Sequence, residues 1–215
     1  MGIIRGGILG GFRKKAGAVI GSYWRSLDVI KGLPRISGKA ATAAQLDQRA
    51  KFGLGTNFLS YVKDLIEIGY KALSDVDTPM NVAVSYHIKE AITGVSPNFV
   101  MDYPKVMFSQ GKLKLPWTIE METIVPAEIG ISWIDSGDDG LFKEATDRLT
   151  VMVYNPAKDD FVTVKNVAAR SVETYTLHVP IEYSGDNVHV YVSFNSISNP
   201  LLVSKSYYVG AIAIL

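Results

Sequence analysis

The stretch LKLPWTIEM, residues 113–121, marks the point at which the hydrophobic pattern of the chain changes from a helical period to a strand period. Leu113, Leu115, Trp117, Ile119 and Met121 alternate with residues that are mostly polar. Successive side chains of a β-strand point to opposite faces, so this alternation predicts a strand with one buried face. We expect Trp117 to lie on that buried face.

Six further strand-like segments follow in the C-terminal half of the chain. They span residues 128–134, 148–154, 161–165, 173–179, 187–195 and 205–214. Turn-forming pairs such as Asn155-Pro156 and Asn199-Pro200 separate them. Seven short strands at this spacing favour an antiparallel β-sandwich over residues 113–215.

Upstream of the sandwich, a first helix is predicted to begin at a capping box. In Thr42-Ala43-Ala44-Gln45 the Thr hydroxyl accepts from a backbone N–H three residues on, and the Gln side chain reaches back. Apolar residues then recur every three or four positions as far as Tyr70. Gly53 and Gly55 are the expected points of bending.

A second helix is predicted to begin at Thr78, with Pro79 at its first position, and to end at Gly94. We expect residues 42–95 to form a helical hairpin and residues 96–112 to form a linker. The fold class is therefore predicted as α+β.

The N-terminal residues 1–41 differ from the rest in their glycine content. Residues 1–40 hold nine of the 19 glycines, a density that disfavours a helix because each glycine costs about 1 kcal/mol relative to alanine. We predict a β arm of extended strands and turns. Small isolated hairpins are marginal in water, so the arm is expected to dock on another surface.

The formal net charge of +1 hides a strong asymmetry along the chain. Residues 1–51 contain ten Lys or Arg and two Asp, a net charge of +8. The remaining residues contain 12 basic and 19 acidic side chains, a net charge of −7. This division predicts that the arm meets an acidic partner, either nucleic acid or the acidic body of a neighbouring copy.

The candidate contact residues of the arm interleave cations with aromatic side chains. They are Arg13, Lys14, Lys15, Tyr23, Trp24, Arg25, Lys31 and Arg35. Such a set suits the neutralisation of phosphates and the stacking of bases. The interpretation that we favour is that the cations pair with acidic protein surface, on the same chain or on an adjacent subunit, while Tyr23 and Trp24 pack in a core.

Sequence signatures of catalysis and of cofactor binding are missing. The chain has no cysteine and no G-x-S-x-G motif, and the GGILGG block at residues 6–11 lacks the Gly-Lys-Ser/Thr of a phosphate-binding loop. His87, His178 and His189 lie far apart in the sequence, and we interpret them as ordinary surface histidines, with the two strand histidines facing outward. We predict a protein that is not an enzyme and needs no cofactor.

Two further patterns exclude particular roles. Asp135, Asp138, Asp139 and Asp147 lack the spacing of a calcium loop, so we interpret them as polar turn residues. The N-terminus lacks the continuous apolar region of a secretory signal, and no stretch approaches the ~18–20 apolar residues of a membrane span. We expect cytoplasmic synthesis and no membrane span.

Two resemblances add to these inferences. Trp133, Tyr154 and the segments 175–180 and 188–194 resemble a fibronectin type III or immunoglobulin-like sandwich. The whole chain resembles an uncharacterised domain-of-unknown-function family common in Bacteroidota, and the motifs that carry this resemblance are GILGGF at 7–12, VIGSYW at 19–24, LPR at 33–35, TAAQLDQRAKF at 42–52, VYNP at 153–156 and YVG at 208–210. That resemblance implies no activity.

The first of those motifs is also similar to segments of small phage virion proteins. Our leading hypothesis is a non-enzymatic structural protein that self-assembles through its arm, with a virion or phage-derived particle as its setting and further copies or other particle proteins as its partners. A nucleic-acid-binding protein that uses the basic aromatic arm is the alternative. A fibronectin-like adhesion or carbohydrate-binding module is the second alternative.

Overall fold

A computed structural model describes residues 2–4, 10–24, 27–35, 38–73, 77–135, 140 and 142–215. The chain divides into two units, Met1–Thr42 and Ala43–Leu215. The fold class is α+β, as predicted, with all named strands paired antiparallel.

The first unit contains a four-stranded antiparallel sheet in the order β1-β4-β3-β2. Its strands are β1 (Gly2–Ile4), β2 (Lys14–Ala16), β3 (Val19–Trp24) and β4 (Leu27–Gly32). Glycine is required where the chain crosses itself closely, because a Cβ on Gly21 would lie 2.0 Å from the carbonyl oxygen of Phe12. The glycine-rich segment is therefore extended, as its composition predicts.

The second unit begins with three helices, α1 (Ala43–Ser60), α2 (Lys63–Gly69) and α3 (Pro79–Glu90). The chain bends between Ser60 and Lys63, and not at Gly53 or Gly55 as expected. Near this bend the Ser60 hydroxyl donates to the carbonyl of Asn57, a local bond that competes with regular helix pairing.

The third helix has the predicted start and a different end. The Thr78 hydroxyl accepts from the Asn81 N–H at 3.2 Å, which is the expected cap, and Pro79 occupies the first turn. The helix ends at Glu90 and not at Gly94, because residues 92–95 form a strand. This strand, β5 (Ile92–Val95), pairs with β6 (Asn98–Met101) in a hairpin.

Residues 96–112, expected to be a linker, contribute to the core instead. Met101, Val106 and Phe108 are buried in a cluster with side chains of the three helices. The sequence conceals this because the segment has neither a helical nor a strand period over more than a few residues.

The seven predicted strands form two sheets of a β-sandwich. They are β7 (Thr118–Glu122), β8 (Glu128–Ile134), β9 (Arg148–Asn155), β10 (Asp160–Val164), β11 (Thr174–His178), β12 (Asn187–Asn195) and β13 (Tyr207–Ala213). One sheet has the order β10-β9-β12-β13 and the other β11-β8-β7. Apolar side chains from both sheets, including Ile131, Trp133 and Phe194, fill the space between them.

The first strand of the sandwich is shorter than predicted. It begins at Thr118, and Trp117 is 81% exposed, which contradicts the expectation that this side chain is buried. Pro116 precedes it and has no backbone N–H for a ladder, so the regular alternation is set only after this position. Ile119 and Met121 pack on the sandwich core as expected.

The two central strands β9 and β12 are buried on both faces. One face packs into the sandwich core through residues such as Val153 and Val190. The other face carries Met152, Tyr154 and Tyr191, which pack with Phe58 and other helical side chains. The second unit therefore has three layers, helices on the four-stranded sheet and the three-stranded sheet behind it.

Candidate functional site

The strand register of the N-terminal sheet shows which of the predicted contact residues share a face of the sheet. Lys15 pairs with Ile20, and Ile20 pairs with Lys31, so these three side chains share one face. Trp24 pairs with Leu27 and lies four residues beyond Ile20 on the same strand, which puts both on that face.

We call this surface the apolar–basic face and define it as Ile3, Lys15, Trp24, Leu27 and Lys31. Ile3 joins it because it pairs with Val29, which follows Leu27 by two positions on β4. The two lysines are exposed, and the three apolar side chains remain between 38% and 50% exposed. Trp24 is 47% exposed, so the prediction that it packs in a core is wrong.

Tyr23 lies on the opposite face of the sheet and is also largely exposed, which corrects the expectation that it is buried. The Arg13 guanidinium carbon lies 4.8 Å from the centroid of its ring, a cation–π contact. Asp28 is the cross-strand partner of Tyr23. The two aromatic side chains of the predicted set therefore face opposite ways and cannot form a single stacking platform.

The remaining predicted residues have different surroundings. Lys14 is exposed at the start of β2 with a φ of 73°. Arg35 is exposed in the segment after β4. Arg25 lies outside the described residues. Residues 1–42 hold eight Lys or Arg and only one acid, Asp28, so the cations there outnumber the acids by eight to one.

Two of the four aspartates that the sequence analysis interprets as polar turn residues take part in ion pairs. Asp135 Oδ1 lies 2.9 Å from Lys143 Nζ, and Asp147 Oδ2 lies 3.2 Å from Arg170 Nε. The Arg170 side chain is 1% exposed, and its NH2 group donates to the carbonyl of Lys114 at 2.6 Å. Burial raises the pKa of Asp147 in spite of this arginine. Asp138 and Asp139 lie outside the described residues.

This buried ion cluster was missed by sequence reasoning. Arg170 lies 23 and 35 residues from its aspartate partners, so no local spacing signals the contact. Its guanidinium also lies 4.5 Å from the centroid of the Phe194 ring in the sandwich core. Arg170 and Lys143 each pair with an aspartate in this cluster. Such mutual pairing of buried charges is typical of a structural role.

Two of the three histidines depart from the expectation of surface positions. His87 is fully buried on α3, where Nδ1 donates to the Ala83 carbonyl at 2.8 Å and Nε2 accepts from the Met107 N–H at 3.2 Å. Acceptance at Nε2 requires the neutral ring, and burial lowers the pKa of His87. His189 faces the helical layer and is half-covered by Tyr103, whereas His178 is exposed, as predicted.

The described residues contain no candidate metal cluster and no candidate membrane-spanning helix. No group of three or more His, Asp or Glu side chains there is placed to hold a metal ion. No helix in that part of the chain is long and apolar enough to cross a membrane.

Solved structures similar to part of this chain contain fibronectin type III domains. The fn3 domain of human collagen alpha-1(XX) chain aligns at 16% identity over 47% of this chain and 85% of that chain, with a TM-score of 0.29. The chicken CNTN1 FN1-FN3 domains align at 14% identity over 48% of this chain and 32% of that chain, with a TM-score of 0.30. A comparison with curated proteins gave no match.

The sequence profile of a family of unknown function matches residues 11–210. The matched region runs from before β2 into β13, so it includes most of the N-terminal sheet, the three helices and almost all of the sandwich. The predicted resemblance to a family without a known function is confirmed at this level. This chain belongs to DUF6266, a family of unknown function.

Proposed function

We propose that this protein is a non-enzymatic structural protein that self-assembles by docking its apolar–basic face on a second copy. One observation carries the proposal: half-exposed Trp24, Leu27 and Ile3 share a sheet face with Lys15 and Lys31. Contiguous apolar side chains bordered by charges are typical of protein contact surfaces.

Charge complementarity supports a second copy as the partner. The arm is strongly basic, and the rest of the chain carries the compensating acidic charge. Part of that acidic charge lies on the outer face of the three-stranded sheet, where Glu120 and Glu122 are exposed on the edge strand β7. Exposed Ile134, which pairs with Thr118 of β7, and exposed Ile124, which follows β7, supply apolar area.

A cavity of about 210 Å³ on this acidic face suits a lysine side chain. Its lining consists of Glu122, Ile124, Val125, Glu128, Gly130 and Thr176. The aliphatic stem of a lysine packs on Ile124 and Val125, and its ammonium group reaches the two carboxylates. Gly130 keeps the cavity open beside Glu122. A side chain at position 130 would crowd this glutamate, because its Cβ would lie 3.2 Å from Glu122 Cγ. We assign Lys15 or Lys31 of the second copy to this cavity.

The proposed setting is a virion or phage-derived particle assembled from protein made in the cytoplasm. Its support is the similarity of the 7–12 motif to segments of small phage virion proteins, and the Bacteroidota origin that the family resemblance implies belongs to the same proposal. Neighbouring genes for capsid, portal or tail proteins would support this setting.

The experiment is multi-angle light scattering on nuclease-treated protein at low and high salt. We expect concentration-dependent assembly at low salt, its loss on deletion of residues 1–40, and its loss in the Lys15→Glu/Lys31→Glu variant. Lys112→Glu/Lys205→Glu makes the same change of charge on exposed residues elsewhere and should still assemble. A strict monomer at high concentration and low salt, or equal assembly of the two double variants, would overturn the proposal.

Nucleic-acid binding is the second candidate, because Lys15, Lys31 and Trp24 share one face. Binding to single- or double-stranded nucleic acid would fall steeply with salt, and the Arg13, Lys14 and Lys15 charges would set part of that slope. The opposed directions of Tyr23 and Trp24 count against extended base stacking. No retention on a nucleic-acid column at ~50 mM salt would remove this candidate.

A further inference from the structure

A cavity of about 610 Å³ opens where the ends of β9 and β12 meet the helical layer. Its lining consists of Ile68, Lys71, Arg148, Asn166, Asn195, Ser196, Ile197 and Pro200. Its volume lies within the range of small-molecule sites, which occur where layers or domains meet. The cavity lies wholly within the second unit and far in sequence from the residues of the apolar–basic face.

Two polar side chains emerge side by side into this cavity. Arg148 on β9 pairs directly with Asn195 on β12, so their side chains leave the same face of the sheet. This is the face that looks toward the helices. Within the described part of the chain, the Arg148 guanidinium has no salt-bridge partner, although the side chain is partly buried. An unpaired, partly buried guanidinium is the usual receptor for an oxyanion.

The asparagine beside it is held in a fixed orientation. The Asn195 amide nitrogen donates to Thr150 Oγ1 at 3.1 Å and to Asn166 Oδ1 at 3.2 Å. Both of its donor hydrogens are therefore used, and in the described structure no protein donor reaches Asn195 Oδ1. This oxygen is a preorganised acceptor for a ligand hydroxyl.

The rest of the lining fits the same kind of ligand. Lys71 adds a second cation, and none of the lining residues is acidic. The Glu144 carboxylate accepts a hydrogen bond from Ser198 at 2.8 Å and is not part of the lining. Ile68, Ile197 and Pro200 provide apolar surface on which the C–H face of a sugar ring packs.

We infer that this cavity binds a small anionic polyol, in which an acidic group contacts Arg148 and Lys71 and a hydroxyl donates to Asn195 Oδ1. The shared chemistry is an oxyanion carried by a hydroxylated ring. Sugar acids supply it as a carboxylate and sugar phosphates supply it as a phosphate ester. The site does not depend on the proposed assembly.

The test is isothermal titration of the full chain with glucuronate, glucose 6-phosphate, inorganic phosphate and neutral glucose, each up to about 10 mM. We expect at least one of the two anionic sugars to bind and to exceed both glucose and phosphate in affinity by about tenfold. The carboxylate and phosphate probes identify which acid the site prefers. Binding of neither anionic sugar would overturn the inference, as would equal binding of glucose.

Two variants locate the site. Arg148→Gln should weaken the binding of the preferred probe by about tenfold. Arg49→Gln, which changes an exposed arginine of α1, is the matched control and should leave binding unchanged. If Arg148→Gln fails to fold, Lys71→Gln on an exposed residue takes its place with a smaller expected loss. Wild-type affinity in a folded Arg148→Gln or Lys71→Gln variant would contradict the assignment.

Discussion

The two units of this protein differ in how much of their sequence is buried. In the N-terminal sheet, Val29 is the only buried apolar side chain among the described residues. The second unit has two clusters of sixteen buried residues each. A four-stranded sheet with so little buried area has little stability of its own. The stability of the chain therefore lies mainly in the second unit, whereas the described apolar side chains of the first unit other than Val29 stay partly or largely exposed.

The largest expected effect is on the sandwich core. Phe194 is fully buried, and its ring lies 5.6 Å from the ring of Trp133 and 4.5 Å from the Arg170 guanidinium. Phe194→Ala should therefore lower the free energy of unfolding by about 4 kcal/mol, measured by urea denaturation followed by tryptophan fluorescence. A loss below about 1 kcal/mol would show that the sandwich does not carry the stability of the chain.

The second expected effect is a pH dependence of the helical layer. The folded state lowers the pKa of His87 below the ordinary value of about 6.5, because the ring is buried and its neutral form makes both hydrogen bonds. The stability that this contributes is complete above about pH 6.5 and is lost as pH falls through the folded pKa. The slope for one proton is at most about 1.4 kcal/mol per pH unit.

Urea denaturation at several pH values between 7.5 and 5 measures this slope. The His87→Gln variant should lose less stability on acidification than the wild type does. His178→Gln removes an exposed histidine and should follow the wild-type curve. Identical acid dependence in wild type and His87→Gln would show that the ring is not held in the neutral form.

The sequence predicted elements whose signals are local. The start of α3 at the Thr78 cap and Pro79 could be predicted because the capping interaction spans only four residues. The strand at 128–134 was predicted with its observed bounds because its alternation and flanking turns are complete. The sandwich follows from seven such segments, since strands of this length have few ways to bury one face.

Contacts between distant residues could not be predicted in this way. The pairing of Arg148 with Asn195 depends on the register of β9 against β12, and the ion pairs of Arg170 depend on loops that meet only in the folded chain. Trp117 was misplaced because Pro116 interrupts the ladder that the alternation implies. For the arm, alternation placed Trp24 on a particular face, but no local pattern states whether that face is covered.

The smallest expected effect is that of Val29→Ala, and the same substitution in the other unit is its matched control. Val190→Ala removes two methyl groups from the sandwich core, where the side chain is fully buried, and should cost about 2 kcal/mol. Val29→Ala makes the same change in the N-terminal sheet and should alter the main unfolding transition by less than about 0.5 kcal/mol, because no comparable core surrounds it. Both are measured by the same urea titration.

Association of copies at low salt, measured together with the unfolding midpoint, then separates the roles of the two units. Val29→Ala loosens the strand that carries Leu27 and Lys31, so it should weaken association of copies at low salt while the monomer keeps its unfolding midpoint. Val190→Ala should do the reverse and lower the midpoint while folded molecules still associate. If Val29→Ala lowered the midpoint as much as Val190→Ala does, the N-terminal sheet would be part of the folding core, and its exposed lysines and tryptophan would need another explanation than docking.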